Sequence, residues 1–231
     1  MNIEVNIVFV FTGENGKFGS PVGIVLDENR KLNTIFRQKI AADLSLSETV
    51  FINNLNEPNI SIFNPQREVA FAGHAVLGTV YLINKLLNTK IRTIKCGSET
   101  VAVFNKNGIY YIQAPLSIMP SWNHEQLDSA SEVENLSEKI CASKKHTYVW
   151  SWVNEKDGLI RARTFAPDWG ISEDEANGSG SMLLSTKLNR SIRVLHGKGS
   201  VIYAKPINSG FVEVGGLAVI ASKKFLNTRL G

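Results

Sequence analysis

Apolar residues along this chain fall into short β-branched runs, broken by two stretches in which they recur at helical spacing. Residues 3–11 are β-branched and aromatic and predict a first strand; a glycine-rich loop follows to Pro21, and residues 22–26 predict a second strand. Leu32, Ile35, Phe36 and Ile40 recur at near 3.6-residue spacing and predict a helix over 29–43. Strands are expected at 49–53 and 59–63. A helix over 75–87 carries Val76, Leu77, Val80, Tyr81, Leu82, Ile83 and Leu86 nearly all round, so it must be buried on most sides. Three more strands are expected at 91–96, 100–105 and 109–113.

Between Pro115 and Lys145 the composition shifts to Ser, Glu, Asn and Lys, with Pro115 and Pro120 as breakers. This reads as an inter-lobe region holding one amphipathic helix around 131–142. Beyond it come strands at 147–153 and 159–165, a helix over 179–188, and strands to the end. Many strands with two buried helices define an α+β class.

The second half repeats the first. Phe63-Asn64-Pro65, Ala72-Gly73-His74, an apolar stretch through Leu87 and Ile91-Arg92 are matched by Phe165-Ala166-Pro167, Asn177-Gly178-Ser179, a stretch through Leu188 and Ile192-Arg193. Small-residue turns, Lys106-Asn107-Gly108 and Asn208-Ser209-Gly210, precede a final strand in each half. The expected organisation is an N-terminal lobe over 1–114 and a C-terminal lobe over 115–231. Each lobe offers a glycine at a helix start, where amide groups and the helix dipole favour negative charge. A small anionic metabolite is the partner such an arrangement suits.

Composition narrows the alternatives. Hydrophobic residues make up 43% and charged residues 20% of the 231, an ordinary balance for a globular protein. The net charge of +4 is spread in short pairs such as Arg161 and Arg163, not in the stripe that nucleic acid requires. No apolar run approaches the roughly 18 residues of a membrane span, so no membrane partner is expected. The first strand carries Glu4 and lacks a basic leader, which is not the pattern of a signal peptide. Cys96 and Cys141 form no disulfide framework, which suits a cytoplasmic location.

Four polar positions stand out, each with a plain structural alternative. Glu48 sits between a helix and an apolar strand, where desolvation would raise its pKa from about 4.3 towards roughly 6 or 7 for acid–base work. Alternatively Ser45 and Glu48 form a capping box. His74 and Ser179 follow the two helix-start glycines, or merely satisfy backbone and cap a helix. Asp174 lies in Ser172-Glu173-Asp174-Glu175, which by itself reads as a solvated acidic turn. The repeat raises all four above these alternatives.

Other signatures are absent. Gly13, Gly16 and Gly19 precede no helix and make no dinucleotide fingerprint. The four histidines are isolated from second ligands at zinc spacing, and Gly178-Ser179-Gly180-Ser181 lacks the spacing of a nucleophile elbow. Chemistry without metal, nucleotide or other cofactor is therefore expected.

Taken in order, Ser47-Glu48-Thr49, Phe71-Ala72-Gly73-His74, Phe165-Ala166-Pro167, Gly170-Ile171-Ser172-Glu173-Asp174 and Gly178-Ser179 resemble the PhzF (phenazine biosynthesis-like) family. The resemblance implies a diaminopimelate epimerase-like fold: two pseudo-symmetric lobes, each a barrel-like antiparallel sheet around a central helix, with the active site between them. It implies Glu48 as the proton-transferring residue, His74 and Asp174 as catalytic partners, and Gly73, Gly178 and Ser179 as substrate-binding residues. The related epimerases' two cysteines fall at Ala72 and Asn177, which argues against two-thiol racemisation. A homodimer is the family's usual state. Gly73-His74-Ala75-Val76 departs from the family's frequent Gly-His-Pro-Thr, and Asp174-Glu175-Ala176-Asn177 from its Asp-Pro-x-Thr. The implied function is a cofactor-independent isomerase or epimerase moving a proton on a small carboxylate-bearing metabolite; the alternative is a catalytically silent binding protein on the same scaffold.

Overall fold

The computed structural model describes residues 2–208 and 210–227, so Ser209 of the second expected turn lies outside the described residues. In chain order the first elements are β1 (Asn2–Thr12), β2 (Ser20–Leu26), α1 (Thr34–Leu44), β3 (Glu48–Asn54), β4 (Asn59–Phe63), β5 (Glu68–Val69), α2 (Gly73–Leu87), β6 (Thr93–Cys96), β7 (Glu99–Lys106) and β8 (Ile109–Pro115). Then follow β9 (Asn123–Gln126), α3 (Ala130–Glu134), α4 (Glu138–Ser143), β10 (Thr147–Asn154), β11 (Leu159–Ala166), β12 (Ile171–Asp174), α5 (Gly178–Lys187), β13 (Ile192–His196), β14 (Ser200–Asn208) and β15 (Phe211–Asn227). The class is α+β, as the pattern predicts. Among the described residues no helix is long and apolar enough to cross a membrane.

The chain forms two compact units. The first takes the described residues of Met1–Val10, Pro21–Ile112 and Ala218–Gly231; the second takes Phe11–Ser20 and Gln113–Leu217. Strands β1, β8 and β15 each run from one unit into the other.

In the first unit the strand order is β1-β2-β3-β4-β6-β7-β8. Here β2 runs parallel to β3, β3 antiparallel to β4, β4 parallel to β6, and β6 antiparallel to β7. The parallel β4–β6 pair is joined through α2, because parallel neighbours need a crossover. The little strand β5 pairs antiparallel with β4 just before that helix.

In the second unit the order is β9-β10-β11-β13-β14-β15, with the same alternation. Thus β9 is parallel to β10, β10 antiparallel to β11, β11 parallel to β13 across α5, and β13 antiparallel to β14. Strand β12 pairs with β11 as β5 does with β4. The register carries the equivalence down to residues. Thr49 faces Phe63 and Thr147 faces Phe165, the two phenylalanines of the repeated motif.

The central helices are buried as their patterns require. Ala75, Val76, Leu77, Gly78, Thr79, Val80, Leu82 and Ile83 of α2 are all buried. A Cβ at Gly78 would come within 2.7 Å of the Val22 side chain, so the helix lies closer to the sheet than any larger residue allows. The buried Thr79 hydroxyl donates to Ala75 O at 2.8 Å and leaves no orphan. In α5, Gly180 lies against the Tyr148 ring, whose hydroxyl is 2.8 Å from Ser181 Oγ.

Three expectations are corrected. Helix α1 begins at Thr34, not near 29, because Asn33 caps it by accepting from Phe36 N at 2.9 Å; Ile35 is 83% exposed and no part of the core. The single helix expected over 131–142 is two, since Ser129 caps one and Ser137 caps another. The segment Ser172–Asp174 is strand, because Arg163 takes the Glu173 carboxylate in two contacts of 2.7 and 2.9 Å.

A buried ion pair ties α1 to the first sheet. Arg37 Nε donates to Asp27 Oδ2 at 2.9 Å, Leu32 N donates to Asp27 Oδ1 at 3.1 Å, and Arg37 also donates to Asn53 Oδ1 at 2.7 Å. Asn53 in turn donates to Asn59 and Ser61. Both ionic side chains are nearly inaccessible, at 5% and 2%. Asp27→Ala strands the guanidinium and should lower unfolding free energy by about 3–5 kcal/mol in urea titrations. Asp27→Leu with Arg37→Met, which leaves no buried charge, should cost much less.

Candidate active site

Glu48 is the first residue of β3 and His74 the second of α2, and the fold brings them together. Glu48 Oε2 lies 2.9 Å from His74 Nε2, with side-chain exposures of 19% and 14%. Ser47 Oγ approaches the same nitrogen at 3.5 Å. Glu48 Oε2 is shielded from solvent, and the polar side chains that stabilise its charged form are His74 and Ser47. Two groups on one imidazole nitrogen are not a nucleophile triad, which needs the acid and the hydroxyl on opposite ring nitrogens.

The capping-box alternative for Glu48 fails. Ser45 is in the left-handed conformation closing α1, and Glu48 opens a strand. The expected rise of its pKa is also corrected. Burial does push the carboxyl up, but the His74 imidazole, with Ser47 adding to it, outweighs burial and holds the group below its ordinary value of 4.5.

Gly73 is the first residue of α2, and its cap Ala72 supplies no side-chain acceptor. The first helical bond is Val76 N to Ala72 O at 3.1 Å. The end of the helix that attracts anions therefore carries no capping oxygen of its own.

The second unit gathers Asp174, Gly178 and Ser179 at the start of α5. Each central helix starts four residues after its small strand ends, from 69 to 73 and from 174 to 178, which makes Ser179 the counterpart of His74 and Asn177 that of Ala72. Asn177 Oδ1 accepts from Gly180 N at 2.6 Å and so caps α5. Asp174 holds that cap: Oδ2 accepts from Asn177 Nδ2 at 2.9 Å and Oδ1 from Ala176 N at 3.1 Å. It is no solvated acidic turn. A Cβ at Gly178 would meet the Phe11 ring at 3.2 Å.

Ser179 Oγ accepts a hydrogen bond from Trp122 Nε1 at 2.9 Å and lies 3.4 Å from Asn177 Oδ1. Trp122 was not among the sequence-predicted residues, since it falls in the polar segment read as a linker. The signal that could have found it is a tryptophan just before Asn123-His124-Glu125-Gln126, a segment that pairs parallel with β10. Among the described residues no group of three or more His, Cys, Asp or Glu is placed to hold a metal ion.

A duplicated α+β protein with an acid–base pair at one helix start and a hydroxyl at the other is the class these features define. The chain belongs to the phenazine biosynthesis-like protein family, whose model matches residues 8–147, more than half of it. It is 26% identical over 243 aligned residues to a phenazine biosynthesis-like domain-containing protein of Bos taurus, covering 80% of this chain and 83% of that one. It is 26% identical over 217 aligned residues to the trans-2,3-dihydro-3-hydroxyanthranilate isomerase of Pseudomonas chlororaphis, covering 78% of each. The fold is shared with a crystal structure of a phenazine biosynthesis protein of the PhzF family from Enterococcus faecalis, at a TM-score of 0.79 and 20% identity, covering 99% of this chain and 100% of that one.

The charge balance at Glu48 has a definite sign. A depressed carboxyl contributes stability that is present above its unfolded pKa and lost as pH falls through the folded one. In a His74→Ala variant burial is left unopposed by the imidazole. Carbon-13 NMR should then show the Glu48 titration midpoint move up, from below 4.5 in the wild type to above it.

Proposed function

We propose that this protein is a cofactor-independent isomerase or epimerase that moves a proton on a small carboxylate-bearing metabolite. The observation that carries the reading is the Glu48–His74 contact of 2.9 Å at the uncapped start of α2. An isomerase among its relatives, aligned over 78% of this chain, supports the reaction class.

Moving a proton requires a base that both takes and returns it. Glu48, held as the anion by the imidazole beside it, is ready to accept a proton from carbon at neutral pH. The same imidazole makes the resulting carboxylic acid a better donor, which favours return of the proton to another position. Negative charge developing on the substrate is met by the amide end of α2. Gly178 and Ser179 are assigned to the substrate's carboxylate. Asp174 is assigned to orient the substrate's polar groups or assist the proton's return, and its grip on Asn177 supports the Gly178–Ser179 turn.

The test is solvent exchange. The protein is incubated in deuterated water with small amino and hydroxy acids, including trans-2,3-dihydro-3-hydroxyanthranilate, and deuterium entering carbon is followed by NMR. Incorporation should fall by at least about 100-fold in Glu48→Gln. A folded Glu48→Gln variant that exchanges at the wild-type rate overturns the assignment. Binding of the panel with no exchange in the wild type would identify a silent binding protein instead.

A further inference from the structure

We infer that Trp122 is a positioning residue that sets the Ser179 hydroxyl as a hydrogen-bond donor towards a ligand's carboxylate. The inference rests on the reading of Ser179 as a carboxylate contact and adds what makes that contact directional.

A serine hydroxyl has one proton and two lone pairs, and alone it rotates to suit any neighbour. Here one lone pair is filled, because Trp122 Nε1, which can only donate, points at Ser179 Oγ from 2.9 Å. The hydroxyl's proton must then aim elsewhere. It goes to Asn177 Oδ1, at a long 3.4 Å, and that oxygen already accepts from Gly180 N at 2.6 Å. The proton is thus held by a weak bond, and an incoming carboxylate displaces it at little cost. Once it does so, the Trp122 bond strengthens, since linked hydrogen bonds polarise one another.

Trp122 is itself braced. Its ring meets Trp169 at 5.0 Å between centroids and 61° between planes, and Trp169 lies flat against His146 at 4.9 Å and 5°. Asp168 fixes His146 from both sides, accepting from its backbone N at 2.9 Å and contacting Nδ1 at 2.7 Å. His146 carries a backbone φ of 30°, in the left-handed range that a non-glycine residue enters only under constraint.

The repeat shows why this brace occupies that place. Glu48 pairs with Val22 and Thr49 with Gly23 across the β2–β3 ladder, while Thr147 pairs with Asn123 across β9–β10. With Thr49 and Thr147 equivalent, His146 is the counterpart of Glu48 and Trp122 that of Val22. In the first unit the β3 residue reaches the helix-start side chain directly. In the second, two indoles stand in the path from His146, and the one in contact with the helix start delivers a neutral N–H donor.

The test uses the intact protein, nitrogen-15 labelling and acetate as the carboxylate probe, with chloride at equal ionic strength as control. The Trp122 indole signal is assigned as the one missing from Trp122→Phe. It should move downfield on acetate addition, with chloride leaving it in place. It should move upfield in Ser179→Ala, lose its acetate response there, and regain both in Ser179→Thr, which keeps the acceptor oxygen. Followed at the Ser179 backbone amide, the dissociation constant for acetate should rise about 10-fold in Trp122→Phe, the worth of one directed hydrogen bond. An indole signal indifferent to acetate or to Ser179→Ala, or equal acetate affinity in Trp122→Phe, overturns the inference. Glu48-dependent deuterium exchange is read on separate residues, so loss of this inference leaves the proposed reaction standing, and the converse.

Discussion

Two parallel neighbouring strands cannot be joined by a hairpin, and that constraint organises both halves of this protein. Strand β4 must reach β6, and β11 must reach β13, by a crossover long enough to hold a helix. The crossover lays α2 and α5 against their own sheets, which is why Gly78 and Gly180 sit where any side chain would strike Val22 or Tyr148. It also fixes where each helix begins: one short strand and four residues after the paired ladder. The polar residues that matter are gathered at these two starts because the topology delivers two amide-rich helix ends there.

The same scaffold is used unequally. At α2 the cap is Ala72, without a side-chain oxygen, and after Gly73 the first side chain is the imidazole of His74. At α5 the cap is Asn177, anchored by Asp174, and the His74 counterpart is a serine whose lone pair Trp122 occupies. The first start holds a carboxylate–imidazole pair. The second is braced from three segments of chain. Proton chemistry needs a group able to change its charge, whereas binding a carboxylate needs donors that stay in place. On the proposed function, the two starts divide along that line.

How much of this was legible in the sequence depends on how local each cause is. Helix α2 was legible because its apolar residues recur all round a helix, a property of fifteen consecutive positions. The repeat was legible because Phe63 and Phe165 hold the same register against Thr49 and Thr147. Non-local causes were not. Strand β12 reads as a solvated turn until Arg163, ten residues before Glu173, neutralises it. Strand β9 hides in a polar segment because it is an outer strand of its sheet order, where the alternation of buried and exposed residues is weak. The direction of the Glu48 pKa was misread because burial is guessed from neighbours in sequence, while the opposing charge comes from His74, twenty-six residues on.

Two acidic groups of the first unit, Asp27 and Glu48, differ in how their charge is answered. Asp27 is as buried as a carboxylate can be, yet every contact it makes is returned: a guanidinium, a backbone amide, and an asparagine network behind the arginine. Such a group is fixed in place, and its removal is a matter of stability. Glu48 is half-buried, and its Oε2 lies against the His74 imidazole at ion-pair distance, with Ser47 adding a second polar neighbour. Burial raises its proton affinity while His74 and Ser47 lower it, so its charge state follows from neighbours that a single substitution can change.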